Sequence, residues 1–281
     1  MIFTSLASGS SGNCTFAGTD QTHILIDCGI SAKRIAESLT ALGTSVKALD
    51  AVFLTHEHND HIKGLKRLMS AFGIPVYASQ GTLSALADAA RDTYFSFAGK
   101  ELMHVINADV PVKLGDFCIL PFRTSHDAAG PLAYRIEADQ SAAAEKDKGL
   151  RPHVSACVMT DTGYFDNAMR DHMQNLDVLL LEANHDRGML SNGPYPMRLK
   201  RRIMSREGHL SNHAAGQLLA EIINPKLTHV FLGHLSKENN TPELAMHTVR
   251  EEVAEKLGED IAKRLSISVA LHDGISQVIC L

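Results

Sequence analysis

The chain has 281 residues, of which 44% are hydrophobic and 21% are charged, and its formal net charge is −5. This composition is that of a folded globular protein and excludes an intrinsically disordered chain. The negative charge argues against a protein coated in nucleic acid, although a local basic groove remains compatible with it. We find no leader-like N-terminal segment and no apolar run long enough to span a bilayer. We therefore expect a cytoplasmic protein with no membrane contact and no obligate protein partner.

The cysteines are widely scattered, and no two of them form a CxxC pair. They are Cys14, Cys28, Cys118, Cys157 and Cys280. This odd and dispersed set predicts reduced, mostly buried thiols rather than a disulfide framework. Cys28 follows Asp27 at the end of a predicted strand, so a thiolate function stays open there.

The first half alternates short apolar runs with amphipathic ones. The patterns predict strands over residues 22–29, 51–55 and 75–79, and helices over 31–43, 61–73 and 81–91. Residues 110–126 and 132–138 are typical of paired strands with a turn at Gly115-Asp116. The polar, alanine-rich residues 139–150 predict an exposed loop within one domain that spans 1–281.

The second half repeats the alternation. Strands are predicted over 153–160, 177–184, 228–234 and 266–271, and helices over 212–223 and 241–258. Strands in both halves, with helices between them, fit an α/β protein of two packed sheets with helices outside. The pattern alone does not separate that arrangement from a doubly wound parallel sheet.

One short stretch, LTHEHNDHIKGL at 54–65, places four ligand-type side chains in six positions. They are His56, His58, Asp60 and His61. A core cannot accept them without partners, whereas zinc and similar ions bind imidazole and carboxylate groups. His56 and His58 are two residues apart and can point the same way toward one ion. Asp60 and His61, at the start of the next helix, can then bind a second ion.

Three later strand ends supply the remaining candidates. His126, Asp161 and His234 each follow an apolar run, where a sheet delivers polar side chains to a cleft at its edge. The predicted ligands of the first ion are His56, His58 and His126. The predicted ligands of the second ion are Asp60, His61 and His234. Asp161 is predicted to bridge the two ions.

Two segments favour a phosphate-bearing substrate. The loop SGSSGN at 8–13 predicts an anion cradle that includes Ser10, Ser11 and Asn13, although a plain turn explains it as well. The segment RLKRRIMSR at 198–206 carries five basic residues and no acid. It predicts phosphate contacts by Arg198, Arg201 and Arg202, and a solvated helix face is the alternative.

A further strand end carries Glu182 and His185 in the stretch LEANHD. Because several strand ends point at one cleft, we expect these side chains to orient imidazole ligands. A structural turn with satisfied hydrogen bonds is the alternative.

HEHNDH resembles the HxHxDH signature of the metallo-β-lactamase superfamily, and His126, Asp161 and His234 match its later ligand positions in order. The resemblance covers nearly the whole chain. It implies an αββα sandwich, with two mixed sheets, helices on both outer faces and metals at one edge. Asp27 matches an early aspartate that supports the metal site in this superfamily.

A narrower resemblance joins the motifs SLASGSSGNC, LIDCG, TSHDA, TDTGYF, LEANHD, GPYP, GHLSN and LGHLSKENN. Together they are similar to the YycJ/WalJ type of the superfamily, which implies a 5′-to-3′ exonuclease on double-stranded DNA. Resemblance to the nuclease branches implies that His209 contacts the scissile phosphate or stabilises the leaving oxygen. Helix capping by Ser211-Asn212 is the alternative explanation of that motif.

The expected reaction is attack on phosphorus by a hydroxide that bridges two divalent ions, with catalytic roles for Asp60, Asp161 and His209. Zinc or manganese suits the ligands best, and iron is possible. The same site would also suit a small-molecule hydrolase, either a cyclic phosphodiesterase or a glyoxalase II-like thioesterase or lactonase. A nucleic-acid-binding protein with a vestigial metal site is the non-enzymatic alternative.

Overall fold

The computed structural model describes residues 1–89, 99–147 and 149–281. Contacts between Cα atoms group the chain into two units. Unit 1 comprises Met1–Arg123, Ala128–Val154 and Leu271–Leu281. Unit 2 comprises Thr124–Asp127 and Ser155–Ala270. The expectation of one domain over 1–281 stays a prediction.

The strands and helices of the described residues are numbered in chain order. Strands β1 to β14 span Ile2–Ala7, Cys14–Gly18, His23–Ile26, Ala51–Phe53, Val76–Ala78, Met103–Val105, Val112–Leu114, Phe117–Arg123, Leu132–Asp139, His153–Met159, Val178–Glu182, His229–Gly233, Ile267–Val269 and Ile279–Cys280. Helices α1 to α11 span Ala32–Ala41, Asn59–Ile62, Leu65–Phe72, Gln80–Ala89, Ser141–Lys146, Asn167–His172, Arg187–Asn192, Met197–Ile203, Asn212–Ile222, Pro242–Leu257 and Glu259–Arg264. Short 3₁₀ turns lie at Val46–Ala48 and Lys100–Leu102.

Unit 1 contains a mixed sheet with strand order β14-β1-β2-β3-β4-β5-β6. The pairs from β14 to β3 are antiparallel, and those from β3 to β6 are parallel. Strands β7, β8 and β9 form an antiparallel ribbon in the same unit. Buried apolar side chains of α1 and α3, including Ile35, Leu39 and Leu68, belong to one core cluster with Leu25 of β3 and Val52 of β4. This packing fixes the end of β4, where the histidine-rich stretch begins.

Unit 2 contains the parallel pairs β10-β11, β11-β12 and β12-β13. All five residues of β11 and all five of β12 are buried, as expected for parallel strands covered on both faces. Helix α9 buries Ala215, Leu218 and Leu219, and its Gly216 lies close to Val249 of α10. Parallel strands end at the same edge of a sheet, so residues that follow β10, β11 and β12 come together there.

The predicted helix over 61–73 is wrong in its continuity, because α2 and α3 are separate helices. The interruption lies at Gly64, whose backbone N–H donates to the Cys28 carbonyl at 2.8 Å. A Cβ atom at this position would lie 2.6 Å from the Ile30 carbonyl oxygen. The close approach of two backbone segments therefore decides where the helix breaks.

Other differences concern short elements. Residues 139–150, expected as a loop, contain helix α5 in their described part. The predicted helix over 81–91 corresponds to α4, and residues 90 and 91 lie outside the described residues. The antiparallel strands β1 and β2 flank the Gly/Ser loop, and the sequence patterns did not predict them as a pair. The turn at Gly115-Asp116 is confirmed, with Gly115 at φ 56°.

The cysteines are free thiols, with Cys14, Cys28 and Cys157 buried, which confirms the prediction of reduced cysteines. Burial raises the pKa of the Cys28 thiol, so no thiolate forms there at neutral pH. Within the three described ranges, no helix combines the length and hydropathy that crossing a bilayer requires.

Candidate metal-binding clusters

The first cluster lies in unit 1 between β4 and α2 and is called the loop cluster. It consists of His56, His58, Asp60 and His61. His58 is the N-cap residue of α2 with extended backbone angles, and Asp60 lies in the first turn of that helix. The ring centroids of His56 and His58 are 4.5 Å apart, and those of His56 and His61 are 4.1 Å apart. The chain therefore brings all three imidazoles of this stretch together, whereas the sequence predicted only that His56 and His58 point the same way.

Asp27 holds the loop cluster in place through hydrogen bonds to Thr55 and His61. Its carboxylate accepts from the Thr55 N–H at 2.8 Å, the Thr55 hydroxyl at 2.9 Å and His61 Nδ1 at 2.7 Å. Burial raises the pKa of this carboxyl, and the hydrogen bonds from His61 and Thr55 oppose that shift. Since Nδ1 of His61 donates to Asp27, Nε2 carries the lone pair that a metal ligand needs. Asp27 has φ 60°, a left-handed conformation that is uncommon outside glycine and concentrates at functional sites.

Asn13 braces the same loop rather than lying open to substrate. Its backbone N–H donates to the Asp60 carbonyl at 2.7 Å, and its Nδ2 lies 3.0 Å from His61 Nε2. The side chain is buried, whereas Ser10 and Ser11 at the tip of the Gly/Ser loop are exposed. The expected substrate contact by Asn13 therefore does not fit its burial, while contacts by Ser10 and Ser11 stay predictions.

The second cluster lies in unit 2 and is called the strand-end cluster. It consists of Asp161, Glu182, His209 and His234, whose potential ligand atoms all lie within 4.8 Å of one another. Asp161 follows β10, Glu182 ends β11 and His234 follows β12. Asp161 and His234 have φ 57° and 56°, so both leave their strands in the left-handed conformation. Asp161 Oδ1 lies 3.3 Å from His234 Nδ1 and 3.6 Å from His209 Nδ1.

Glu182 organises the strand-end cluster from a fully buried position. Its Oε1 accepts from His209 Nδ1 at 2.8 Å and from His234 Nδ1 at 2.9 Å. Its Oε2 accepts the backbone N–H groups of Thr162 and Leu210, both at 3.0 Å. Burial by itself raises the pKa of Glu182, but the two imidazoles and their hydrogen bonds together hold it well below its usual range. The expected orienting role of Glu182 is consistent with this geometry, and it applies to two imidazoles.

His126 lies beside this cluster in unit 2. Its Nδ1 lies 3.1 Å from the Gly208 carbonyl, and its Nε2 lies 3.8 Å from Asp161 Oδ1. Burial lowers the pKa of His126, opposed by the charges of Asp161 and Glu182. A neutral imidazole whose Nδ1 donates to a carbonyl presents the lone pair of Nε2, which is the form that binds a metal.

The expected orienting role of His185 stays a prediction. Its backbone carbonyl accepts from Asn212 N–H at 2.9 Å, and within the described chain its buried Nδ1 has no hydrogen-bond partner. Burial lowers the pKa of His185 to about 4. The neighbouring Asn184 donates from Nδ2 to the His234 carbonyl at 2.8 Å. Sequence reasoning missed Asn184, whose only signal was its place at the end of the β11 run.

The basic segment forms helix α8 and the turn that follows it. Arg198, Arg201, Arg202 and Arg206 are exposed. Arg202 forms an ion pair with Asp127, the residue after His126. The Arg206 guanidinium lies 3.7 Å from the centre of the Tyr164 ring. Lys200 is buried, and its Nζ donates to the Ser191 carbonyl at 2.7 Å. The segment is therefore partly structural, and Arg198 and Arg201 are its two cations with no hydrogen bond, ion pair or ring contact among the described residues.

The donor chemistry of both clusters suits a divalent ion. Each combines imidazole nitrogen with carboxylate oxygen, the ligand set that zinc, manganese and iron share. Each also has a buried carboxylate that fixes the orientation of an imidazole, as metal-ligating histidines normally require.

Comparison with known proteins adds the family. A model described as the beta-lactamase superfamily domain matches residues 22–231. An exodeoxyribonuclease WalJ of Streptococcus pneumoniae serotype 2 is 37% identical over 250 residues, covering 89% of this chain and 87% of the relative. An exodeoxyribonuclease YycJ of Bacillus anthracis is 33% identical over 258 residues, covering 90% and 89%.

Among solved structures, the metallo-beta-lactamase fold protein YhfI from Bacillus subtilis is similar with a TM-score of 0.64 and 18% identity. The similarity covers 98% of each chain. At this level of identity it bears on the fold alone. The predicted αββα sandwich, with two mixed sheets and helices on both outer faces, is confirmed.

Proposed function

Because the chain belongs to the metallo-β-lactamase superfamily and to its WalJ/YycJ branch, we propose that it is a metal-dependent hydrolase that degrades DNA as an exonuclease. The observation that carries the proposal is the 37% identity to an exodeoxyribonuclease over 89% of this chain. We further propose that the substrate is double-stranded DNA and that degradation runs from 5′ to 3′. The loop and strand-end clusters support the proposal because each offers imidazole and carboxylate ligands held by a buried acid.

The cofactor is a divalent metal, and we propose two ions held by seven residues. The ligands are His56, His58, Asp60, His61, His126, Asp161 and His234. The assignment follows the HxHxDH signature and the order of the later ligand positions. Zinc or manganese suits these ligands best, and iron is possible. Two such ions, when bound, lower the pKa of water and neutralise charge on a phosphodiester.

The chain's own groups then position and protonate the reactants. Asp27 holds His61 and Glu182 holds His209 and His234, so these three imidazoles keep one orientation through turnover. The His209 Nδ1–H group forms a hydrogen bond to Glu182. Nε2 is therefore the atom that passes a proton to the departing oxygen.

The proposed phosphate contacts are Arg198 and Arg201 on α8, with Ser10 and Ser11 of the Gly/Ser loop. Arg198 and Arg201 are exposed cations in a chain whose net charge is −5. Arg202, also expected to bind phosphate, is held by Asp127 and therefore serves first to fix the turn beside His126. A cytoplasmic location and the absence of an obligate protein partner stay predictions.

The test uses metal-stripped protein reconstituted separately with manganese and with zinc. Duplex DNA labelled at either end, with and without a 5′ phosphate, is followed over time on denaturing gels. We expect mononucleotides to be released progressively from the 5′ end. Brisk hydrolysis of a thioester or a cyclic diester, with intact duplex DNA, would overturn the nuclease and assign a small-molecule hydrolase to the same ligands.

A further inference from the structure

Helix α8 exposes two methionines on one face. Met197 is 58% exposed and Met204, its C-cap residue, is 48% exposed. The two positions are seven apart, which places them on the same side of a helix two turns from each other. Arg201 lies between them on that side and is also exposed. The three residues form an apolar–cationic–apolar row that we call the methionine stripe.

The methionine stripe lies on a rigidly held element. Lys200, three residues after Met197 and four before Met204, lies beside the stripe, where it is buried and donates to the Ser191 carbonyl at 2.7 Å. At its end, the Ile203 carbonyl accepts from the His209 N–H at 3.0 Å. A Cβ atom at Gly208 would lie 2.1 Å from the Ile203 oxygen, so the following turn packs tightly against the helix.

The same turn connects the methionine stripe to proposed reactive groups within unit 2. The Gly208 carbonyl lies 3.1 Å from His126 Nδ1, and His209 follows directly in the chain. Arg202, on the neighbouring row of α8, reaches Asp127. The C-terminal end of the stripe, at Met204, therefore follows directly after Ile203, whose carbonyl binds the His209 backbone.

The chemistry of the methionine stripe indicates the end of a nucleic-acid duplex. Arg198 and Arg201 are exposed cations without a partner among the described residues in a chain of net charge −5, which favours a polyanion. Methionine is one of the apolar side chains that DNA-bending proteins insert between base steps. Two methionines on a seven-residue helix offer far less area than the roughly 800 Å² per partner of a stable protein interface.

We propose that the methionine stripe opens the end of duplex DNA: Met197 and Met204 pack against the terminal bases and unstack them while Arg201 holds the strand by a phosphate. The proposal rests on the proposed exonuclease function and specifies how a double-stranded end becomes a single strand at His126 and His209. Leading one strand away from its partner is a requirement that a single-stranded or small-molecule substrate does not impose.

The first test compares two substrates, a fully paired blunt duplex and the same duplex with two mismatched pairs at the degraded end. We expect M197Q/M204Q to degrade the blunt duplex about tenfold more slowly, a loss of about 1.4 kcal/mol, because the terminal bases then have to unstack without the methionines. Its rate on the mismatched duplex should remain within about twofold of the parent, because those ends are already open. Leu257→Gln, at the exposed end of α10 and 38% exposed, is the matched control and should change neither rate.

The second test reads end opening without turnover. Metal-free D161N protein is mixed with a duplex that carries 2-aminopurine next to its 5′ end. We expect fluorescence to rise with Met197 and Met204 present and to stay low in D161N/M197Q/M204Q. Anisotropy of the same duplex should show binding by both proteins, since Arg198 and Arg201 are retained.

The outcomes separate this proposal from the function on which it rests. If the parent protein releases no nucleotides from any DNA, the exonuclease itself fails. If the parent degrades DNA and M197Q/M204Q loses the same fraction of activity on both substrates, or loses no activity on either, only the proposal of end opening is wrong. A dimer of the parent that M197Q/M204Q dissolves in solution would assign the stripe to a second copy of the chain and would also overturn end opening.

Discussion

The loop cluster of unit 1 and the strand-end cluster of unit 2 both bring ligand-type side chains together, but they draw them from different parts of the chain. In the loop cluster, four ligand-type side chains occur within six residues, and one turn and one helix start place them together. In the strand-end cluster, the side chains come from the ends of three parallel strands and from the turn after α8. The loop cluster therefore depends on residues that are close in sequence. The strand-end cluster forms only because parallel strands end at the same edge of their sheet.

Each cluster depends on one buried carboxylate, and the pKa values of the two carboxyl groups are shifted in opposite directions. Asp27 accepts from one imidazole and from Thr55, and burial leaves its pKa raised. Glu182 accepts from two imidazoles and two backbone N–H groups, and its pKa is held low despite complete burial. The comparison shows that the donors around a buried acid, and not burial alone, set the direction in which its pKa is shifted.

The largest expected effect comes from removing the carboxylate proposed to bridge the ions. Asp161→Ala should lower DNA degradation by about a thousandfold or more, since metal-assisted charge stabilisation contributes several kcal/mol. The measurement is initial rate on labelled duplex, with metal content and circular dichroism of the same preparation. Undiminished activity in a protein that has lost bound metal would contradict the ligand assignment.

The next effect compares the two buried acids directly. Glu182→Gln should weaken metal binding about 10- to 100-fold, and Asp27→Asn should weaken it less, because Asp27 orients one imidazole and Glu182 orients two. Metal titration of stripped protein measures both. Glu207→Gln, an exposed carboxylate near His209, is the control. An equal loss in both variants would break the distinction drawn between the clusters.

A smaller effect on DNA binding is expected to distinguish Arg201 of α8, which has no ion pair among the described residues, from Arg202, which is paired with Asp127. Arg201→Ala should weaken duplex binding and reduce the slope of log affinity against log salt by about one unit. Arg202→Ala should reduce that slope less, because Asp127 already neutralises this side chain. Binding is measured by fluorescence anisotropy at several salt concentrations with metal-free protein. Lys226→Ala, exposed and elsewhere in unit 2, should leave the slope unchanged.

The smallest expected effect is on the pH dependence of stability and comes from His229. This residue lies in unit 2 outside both clusters, so it shows how burial affects a histidine that has no carboxylate beside it. Its ring nitrogens lie 2.8 Å from the Ser266 hydroxyl and 2.7 Å from the Ser268 hydroxyl. Burial lowers the pKa of His229, so the folded protein keeps the ring neutral where the unfolded chain takes up a proton. Stability from this residue is complete above the unfolded pKa of about 6.5 and falls as pH drops toward the lower folded pKa.

His229→Gln should therefore flatten the fall of the melting temperature between neutral and mildly acidic pH. Thermal denaturation of metal-free protein across that range measures the effect. His247→Gln, on the exposed part of α10, is the control and should leave the slope as it is. A steeper fall of the melting temperature in His229→Gln than in the parent would mean that the folded protein stabilises the charged ring instead.

Much of the site was predictable because metal chemistry restricts which residues can stand together. Four candidate ligands within six residues matched a known signature, and His126, Asp161 and His234, each after an apolar run, matched its later positions in order. The fold followed from the same signature rather than from periodicity, which also fitted a doubly wound sheet. Roles that depend on orientation were harder to predict, since His185 and Asn184 are neighbours and only Asn184 contacts His234.

The sequence by itself determined the ligand types, the strands that carry them and the family to which the chain belongs. Only the tertiary structure decided that Asn13 braces Asp60 and His61, that Lys200 is buried, and that Arg202 is bound by Asp127. It also placed Met197, Arg201 and Met204 in one exposed row. The physical reason is that the type of a residue fixes which hydrogen bonds and ion pairs its side chain can form. Burial and the approach of distant backbone segments then decide which of these interactions actually form.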